Sequence, residues 1–106
     1  MGTQTEHAER LRESIAAHRG ELAEILVRYR ADNLRLFGSV ARGDARAGSD
    51  IDVIVDLDPD AGNELLRIAG IGEEFGLLLG VRVDVVVDSL LRESVSASAL
   101  REAVSV

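Results

Sequence analysis

The chain has 106 residues and a formal net charge of −7, from 12 basic and 19 acidic side chains, and no cysteine. The acidity argues against a domain that grips nucleic acid by its phosphates, and the missing thiols exclude disulfides, thiolate zinc sites and cysteine nucleophiles. Every basic residue is an arginine, so a Walker-type phosphate loop, which needs Gly-Lys-Ser/Thr, is excluded too.

One domain over residues 1–106 is the natural expectation at this length. The N-terminus is polar up to Leu11 and no apolar run is long enough to span a bilayer, which makes a cytoplasmic protein the default. Leu11, Ile15, His18, Leu22, Ile25, Leu26 and Tyr29 recur at three- and four-residue steps and predict a helix from about Thr5 to Arg30, with Gly20 marking a kink or a break between two helices. Asp32-Asn33 is expected to turn the chain. Leu34 to Phe37 then forms a short strand ended by Gly38, Ser39 to Gly43 a helical turn, and Asp44 to Ser49 a loop of small residues.

Asp50 to Leu57 is the clearest strand. Ile51, Val53, Val55 and Leu57 share one face, and Asp50, Asp52, Ile54 and Asp56 share the other. After Asp58-Pro59-Asp60, a cap at Asn63 or Asp60 opens a helix to about Leu79, with Leu65, Ile68, Ala69, Gly72, Phe75 and Leu79 inward and Gly80 as its left-handed stop. Val81 to Val87 is a third strand, with Val81, Val83, Val85 and Val87 on one face and Arg82, Asp84, Val86 and Asp88 on the other. Short helices are expected near Ser89–Glu93 and Ser96–Val104. The sum is an α/β (α+β) fold, a small mixed sheet of about three strands with helices packed on one side. It divides into a helical segment over 1–31, a central unit over 33–87 and C-terminal helices over 88–106.

The chemistry is concentrated in Gly38-Ser39 and Asp50-x-Asp52. Two carboxylates two apart on a strand project from one face and repel unless a cation neutralises them. A solvated strand edge is the competing interpretation, but the opposite face is Ile-Val-Val-Leu and anchors the segment in the core. Hard carboxylate oxygens with no His or Cys nearby suit Mg²⁺ or Mn²⁺. Two such ions, about 3.5–4 Å apart, stabilise the attacking and leaving oxygens of an in-line displacement. Asp84 has the parity to complete the site if its strand pairs beside that of Asp52, and it is placed to accept or orient a hydroxyl proton. Counted from Asp50, the sixth and twelfth positions are Val55 and Ala61, where an EF-hand needs Gly and Glu.

Gly38 and Ser39 lie where a strand meets a helical turn. Glycine there permits close approach of a phosphate, and the free N–H groups and the Ser hydroxyl are donors. Arg42 is the charged partner expected for a triphosphate. Ser49 hydrogen-bonds the loop that presents Asp50 and counts with the nucleotide-binding group. His7, His18 and Tyr29 read as a solvated, a helix-face and a packing residue. Asp56, Asp58 and Asp60 read as turn and rim charges.

Gly38-Ser39-x-Ala41-Arg42-Gly43, followed by Ser49-Asp50-Ile51-Asp52 and later by Gly80-x-x-Val83-Asp84-Val85-Val86, resembles the minimal nucleotidyltransferases of the polymerase-beta-like superfamily. The resemblance covers about Asn33 to Val87. It implies catalytic and metal-binding roles for Asp50, Asp52 and Asp84, with two Mg²⁺ ions (Mn²⁺ possible) and ATP as substrate. Many such proteins are antitoxins of a helical HEPN-type toxin. The resemblance implies that AMP moves from ATP onto a toxin hydroxyl, a tyrosine in studied cases; the acidity and the lack of a spanning apolar run lead us to expect no nucleic-acid or membrane partner. The alternative is a binding module that blocks the toxin by complex formation alone.

Overall fold

A computed structural model describes residues 5–43, 45, 50–87 and 103–106. The expected N-terminal helix is two helices, α1 (Glu6–Ala17) and α2 (Arg19–Arg28), and the break falls at His18. Thr5 caps α1, its hydroxyl accepting from the Ala8 N–H at 3.1 Å. The His18 N–H reaches the Ser14 and Ile15 carbonyls, and its ring Nδ1 lies 2.8 Å from the Ser14 carbonyl oxygen. This local bonding tightens the turn and ends α1, whereas Gly20 sits quietly inside α2.

The turn into β1 (Ala31–Phe37) is made at Tyr29-Arg30, with Arg30 at φ 54°. Asp32 and Asn33 are strand residues, not the turn. Asn33, at φ 53°, accounts for the irregularity in the pairing of β1 between Asp32 and Arg35. A short α3 (Gly38–Arg42) follows, then β2 (Ile51–Leu57), α4 (Glu64–Leu79), β3 (Val83–Val87) and β4 (Val104–Ser105).

The sheet order is β3-β2-β1-β4, with β2 and β3 parallel and the other pairs antiparallel. The parallel pair is joined through α4, the usual crossover. The sheet therefore has one strand beyond the three expected. Val104, expected at the end of a helix, pairs with Leu36, and Ser105 pairs with Arg35. The helix expected near Ser89–Glu93, and the part of the next one before residue 103, lie outside the described residues.

One face of the sheet carries the core. Ile51, Val53 and Val55 are buried with Leu36, Val83 and Val87 under Leu11, Ile15, Leu22, Ile25, Leu26, Ile71 and Phe75. Helix α4 begins at Asn63, whose Oδ1 accepts from the Leu66 N–H at 3.0 Å, and stops at Gly80, at φ 72°. Its inward face includes Ile68, Phe75 and Leu79, as expected, and departs from expectation elsewhere. Arg67, Ile71 and Phe75 are buried, whereas Leu65 is 73% exposed and Ala69 faces out. The cause is Arg67, whose guanidinium donates to the carbonyls of Tyr29 (2.9 Å), Asp58 (2.8 Å) and Arg30 (2.8 Å). A buried cation is tolerable when its donors are satisfied, and this one ties α4 to the α2–β1 turn and to the end of β2. No helix among the described residues is long and apolar enough to cross a membrane.

Candidate active site

Because side chains alternate along β2, burial of Ile51 and Val53 in the core forces Asp52 onto the opposite face of the strand. The parallel register sets Asp52 directly opposite Asp84, and the antiparallel register sets it opposite Phe37 on the other side. Asp50 stands just before the strand, where the Ile51 N–H donates to the Arg82 carbonyl at 3.0 Å. The first rung of the parallel ladder thus fixes Asp50, Asp52 and Asp84 at one end of the β2–β3 pair.

Gly38 is bound to this cluster by geometry. It sits at φ 72°, and a Cβ added to it would lie 2.4 Å from Asp52 Oδ2 and 3.3 Å from Asp52 Cγ. The group that approaches its bare Cα is the Asp52 carboxylate of its own chain, where the sequence had led us to expect a phosphate. Helix α3 is pinned behind it by fully buried Val40 and ends at Gly43, left-handed at φ 84°. The start of α1 clamps this corner: the Thr5 N–H donates to the Gly43 carbonyl at 2.7 Å, and the Thr5 hydroxyl donates to the Ala45 carbonyl. Nothing local in the sequence signals that clamp, because it joins residues 40 positions apart.

Burial pushes the Asp52 carboxyl above the ordinary carboxylate range, and the charges of Asp84 and Asp50 push it further; Arg42 opposes the rise. Arg42 therefore acts on the carboxylates, as its place at the end of α3 allows. Ser39 contributes its carbonyl to the Gly43 N–H at 3.0 Å. Ser49 lies outside the described residues. Arg82 stands between two of the acids, with its Nε 3.7 Å from Asp50 Oδ2 and 3.5 Å from Asp84 Oδ1.

Other acids on this face have partners of their own. Asp56 receives Arg35 Nη2 at 2.8 Å and Asn33 Nδ2 at 2.9 Å, a structural pair across β1 and β2. On the helical side, the Tyr29 hydroxyl donates to Glu74, which also takes Arg28 Nη2 at 2.6 Å. That bond holds the Tyr29 proton above its ordinary range and the Glu74 carboxyl below its own, as fits a packing tyrosine between α2 and α4.

The donor set of Asp50, Asp52 and Asp84 fits a hard divalent cation, since it offers only carboxylate oxygens and a like charge that Arg42 and Arg82 offset only in part. With the side chains as they stand, no three acidic or imidazole groups among the described residues surround one point at ligating range. Asp50 and Asp84 face Arg82 instead.

A strand–glycine–helix corner thus stands beside an acid pair, with a third acid on the next parallel strand. Residues 18–106 match the nucleotidyltransferase domain. The protein adenylyltransferase MntA of Thermococcus cleftensis is 36% identical over 98 residues, covering 92% of this chain and 94% of that protein. A solved structure of a minimal nucleotidyltransferase is 39% identical with a TM-score of 0.71, covering 89% of this chain and 94% of its own. The chain belongs to the nucleotidyltransferase domain family and is a nucleotidyltransferase of the minimal kind.

Proposed function

We propose that this enzyme transfers AMP from ATP to a hydroxyl of a partner protein, a tyrosine of a HEPN-type toxin, and so neutralises it. The observation that carries the reading is the register of Asp52 against Asp84, with Gly38 beneath the Asp52 carboxylate. Similarity to a protein adenylyltransferase over nearly the whole chain supports the choice of a protein acceptor.

In this reading Gly38, Ser39 and Arg42 receive the triphosphate, with Ser49 steadying the loop before Asp50. Asp50, Asp52 and Asp84 would hold divalent metal, Mg²⁺ or Mn²⁺, which when bound neutralises charge on the attacking and leaving oxygens. Asp84 orients the acceptor hydroxyl and takes its proton. The hydroxyl oxygen forms a bond to the α-phosphorus, the bond from that phosphorus to the bridging oxygen breaks, and pyrophosphate departs. Most of the acceleration comes from positioning and from charge placed in advance.

The test is to incubate the purified chain with its partner, Mg²⁺ and ATP labelled at the α-phosphate. The parent is expected to label the partner, and an Asp50→Asn/Asp52→Asn double variant is expected to leave it unlabelled. Equal labelling by the double variant overturns the mechanism. If that variant still neutralises the toxin in cells, complex formation alone is sufficient.

A further inference from the structure

We propose that Arg82 is a built-in counter-ion of the carboxylate cluster, displaced when divalent metal binds, and that it thereby sets the metal concentration at which the site loads. The inference rests on the reading of Asp50, Asp52 and Asp84 as metal ligands. Two facts place Arg82 there. Its carbonyl accepts the Ile51 N–H at 3.0 Å, which fixes its backbone beside Asp50. Val83, the next residue, is buried, so strand alternation aims Arg82 to the face that carries Asp84, two residues on.

Its Nε consequently lies 3.7 Å from Asp50 and 3.5 Å from Asp84, and bridges acids from both sides of the parallel ladder. The strength of these contacts decides the role. The Arg82 side chain is 76% exposed and both pairs are long, so each is weak and easily broken. Direct ligation by a divalent ion outcompetes such a contact. Arg82 is therefore a displaceable occupant that raises the metal requirement without abolishing binding, and it makes the metal-free cluster tolerable in the folded chain. It is a positioning residue, acting through Asp50 and Asp84.

The experiment uses the whole chain without nucleotide and titrates Mn²⁺, followed by electron paramagnetic resonance. Arg82→Ala is expected to bind Mn²⁺ about two- to tenfold more tightly than the parent, and Arg82→Lys to stay near the parent. Arg30→Gln removes the same charge at the far end of β2, where Arg30 pairs with Asp58 at 3.7 Å, and is expected to leave the affinity unchanged. In chelator, Arg82→Ala is expected to melt roughly 2–6 °C below the parent, with the gap closing in saturating Mg²⁺. An Arg82→Ala affinity no different from that of Arg30→Gln, or a melting temperature in chelator equal to the parent's, overturns the proposal. If the parent binds no Mn²⁺, the metal reading itself falls and takes this inference with it. If the parent binds and only the arginine variants fail to differ, the metal reading stands alone.

Discussion

Gly38 and Gly80 share a positive φ of 72° in different surroundings, so replacing each by alanine separates backbone strain from damage to the site. A left-handed alanine costs about 1–2 kcal/mol, partly offset because alanine also restricts the unfolded chain. For Gly80→Ala that is the whole cost, since nothing lies within 4 Å of the new Cβ. For Gly38→Ala the Cβ would meet Asp52 Oδ2 at 2.4 Å, and the carboxylate must swing by roughly 1 Å. Leaving its rotamer well adds about 0.5–1.5 kcal/mol. A catalytic group misplaced by that much loses about 10²-fold in rate. Urea denaturation should therefore place Gly38→Ala about 1 kcal/mol below Gly80→Ala. Adenylyl transfer per folded molecule should fall about a hundredfold for Gly38→Ala alone. In an Asp52→Ala background the stability gap between the two glycine variants should close. Equal transfer rates for the two variants, or a gap that survives removal of Asp52, would refute the link between Gly38 and the carboxylate.

The raised carboxyl of Asp52 makes stability depend on pH in a definite direction. Folded Asp52 keeps its proton to higher pH than it does unfolded, so its contribution is full below the ordinary value of 3.8 and is lost as pH rises through the raised value. Without divalent metal, Asp52→Asn should melt above the parent at pH 7 and coincide with it below about pH 4; a variant less stable at pH 7 contradicts this. Arg67→Met removes a guanidinium that serves three carbonyls and should cost about 3 kcal/mol in urea denaturation, with a loss under about 1 kcal/mol counting against the staple. Tyr29→Phe removes one hydroxyl contact to Glu74 and should lower the melting temperature slightly while leaving transfer intact; collapse of transfer would give Tyr29 a role in the chemistry.

What the sequence made legible follows the physics of each signal. The alternation of Ile51, Asp52, Val53 and the capping of α4 by Asn63 and Gly80 are local, and both stand in the structure. The inward stripe of α4 was legible at Ile68, Phe75 and Leu79 but not at Arg67, because a hydrophobic count assigns arginine to solvent, whereas its fate depends on three carbonyls brought from elsewhere in the chain. Strand β4 left no trace because two residues have no period, and the pairing partner, Leu36 with Arg35, is remote. The parity of Asp84 was readable, but its register against Asp52 was not. That register is set by where α4 returns the chain and by the rung between Ile51 and Arg82. Gly38 was readable as exceptional, but the atom it makes room for was not.

The burial pattern also explains why this cluster stores unfavourable charge at all. Asp52 is locked between Ile51 and Val53, both in the core, so the backbone cannot move apart to relieve the repulsion. Asp84 follows Val83, which is equally fixed. Relief has to come at the side chains, and the site offers a proton on Asp52, the opposing charge of Arg42, the Arg82 guanidinium between Asp50 and Asp84, or divalent metal. Because all of them neutralise charge within one cluster, each weakens the others. Acid should therefore raise the apparent metal requirement, and loss of Arg82 should lower it. The rigid valine and isoleucine frame under the acids keeps this competition in the side chains, where a bound cation can win it without unfolding the strand.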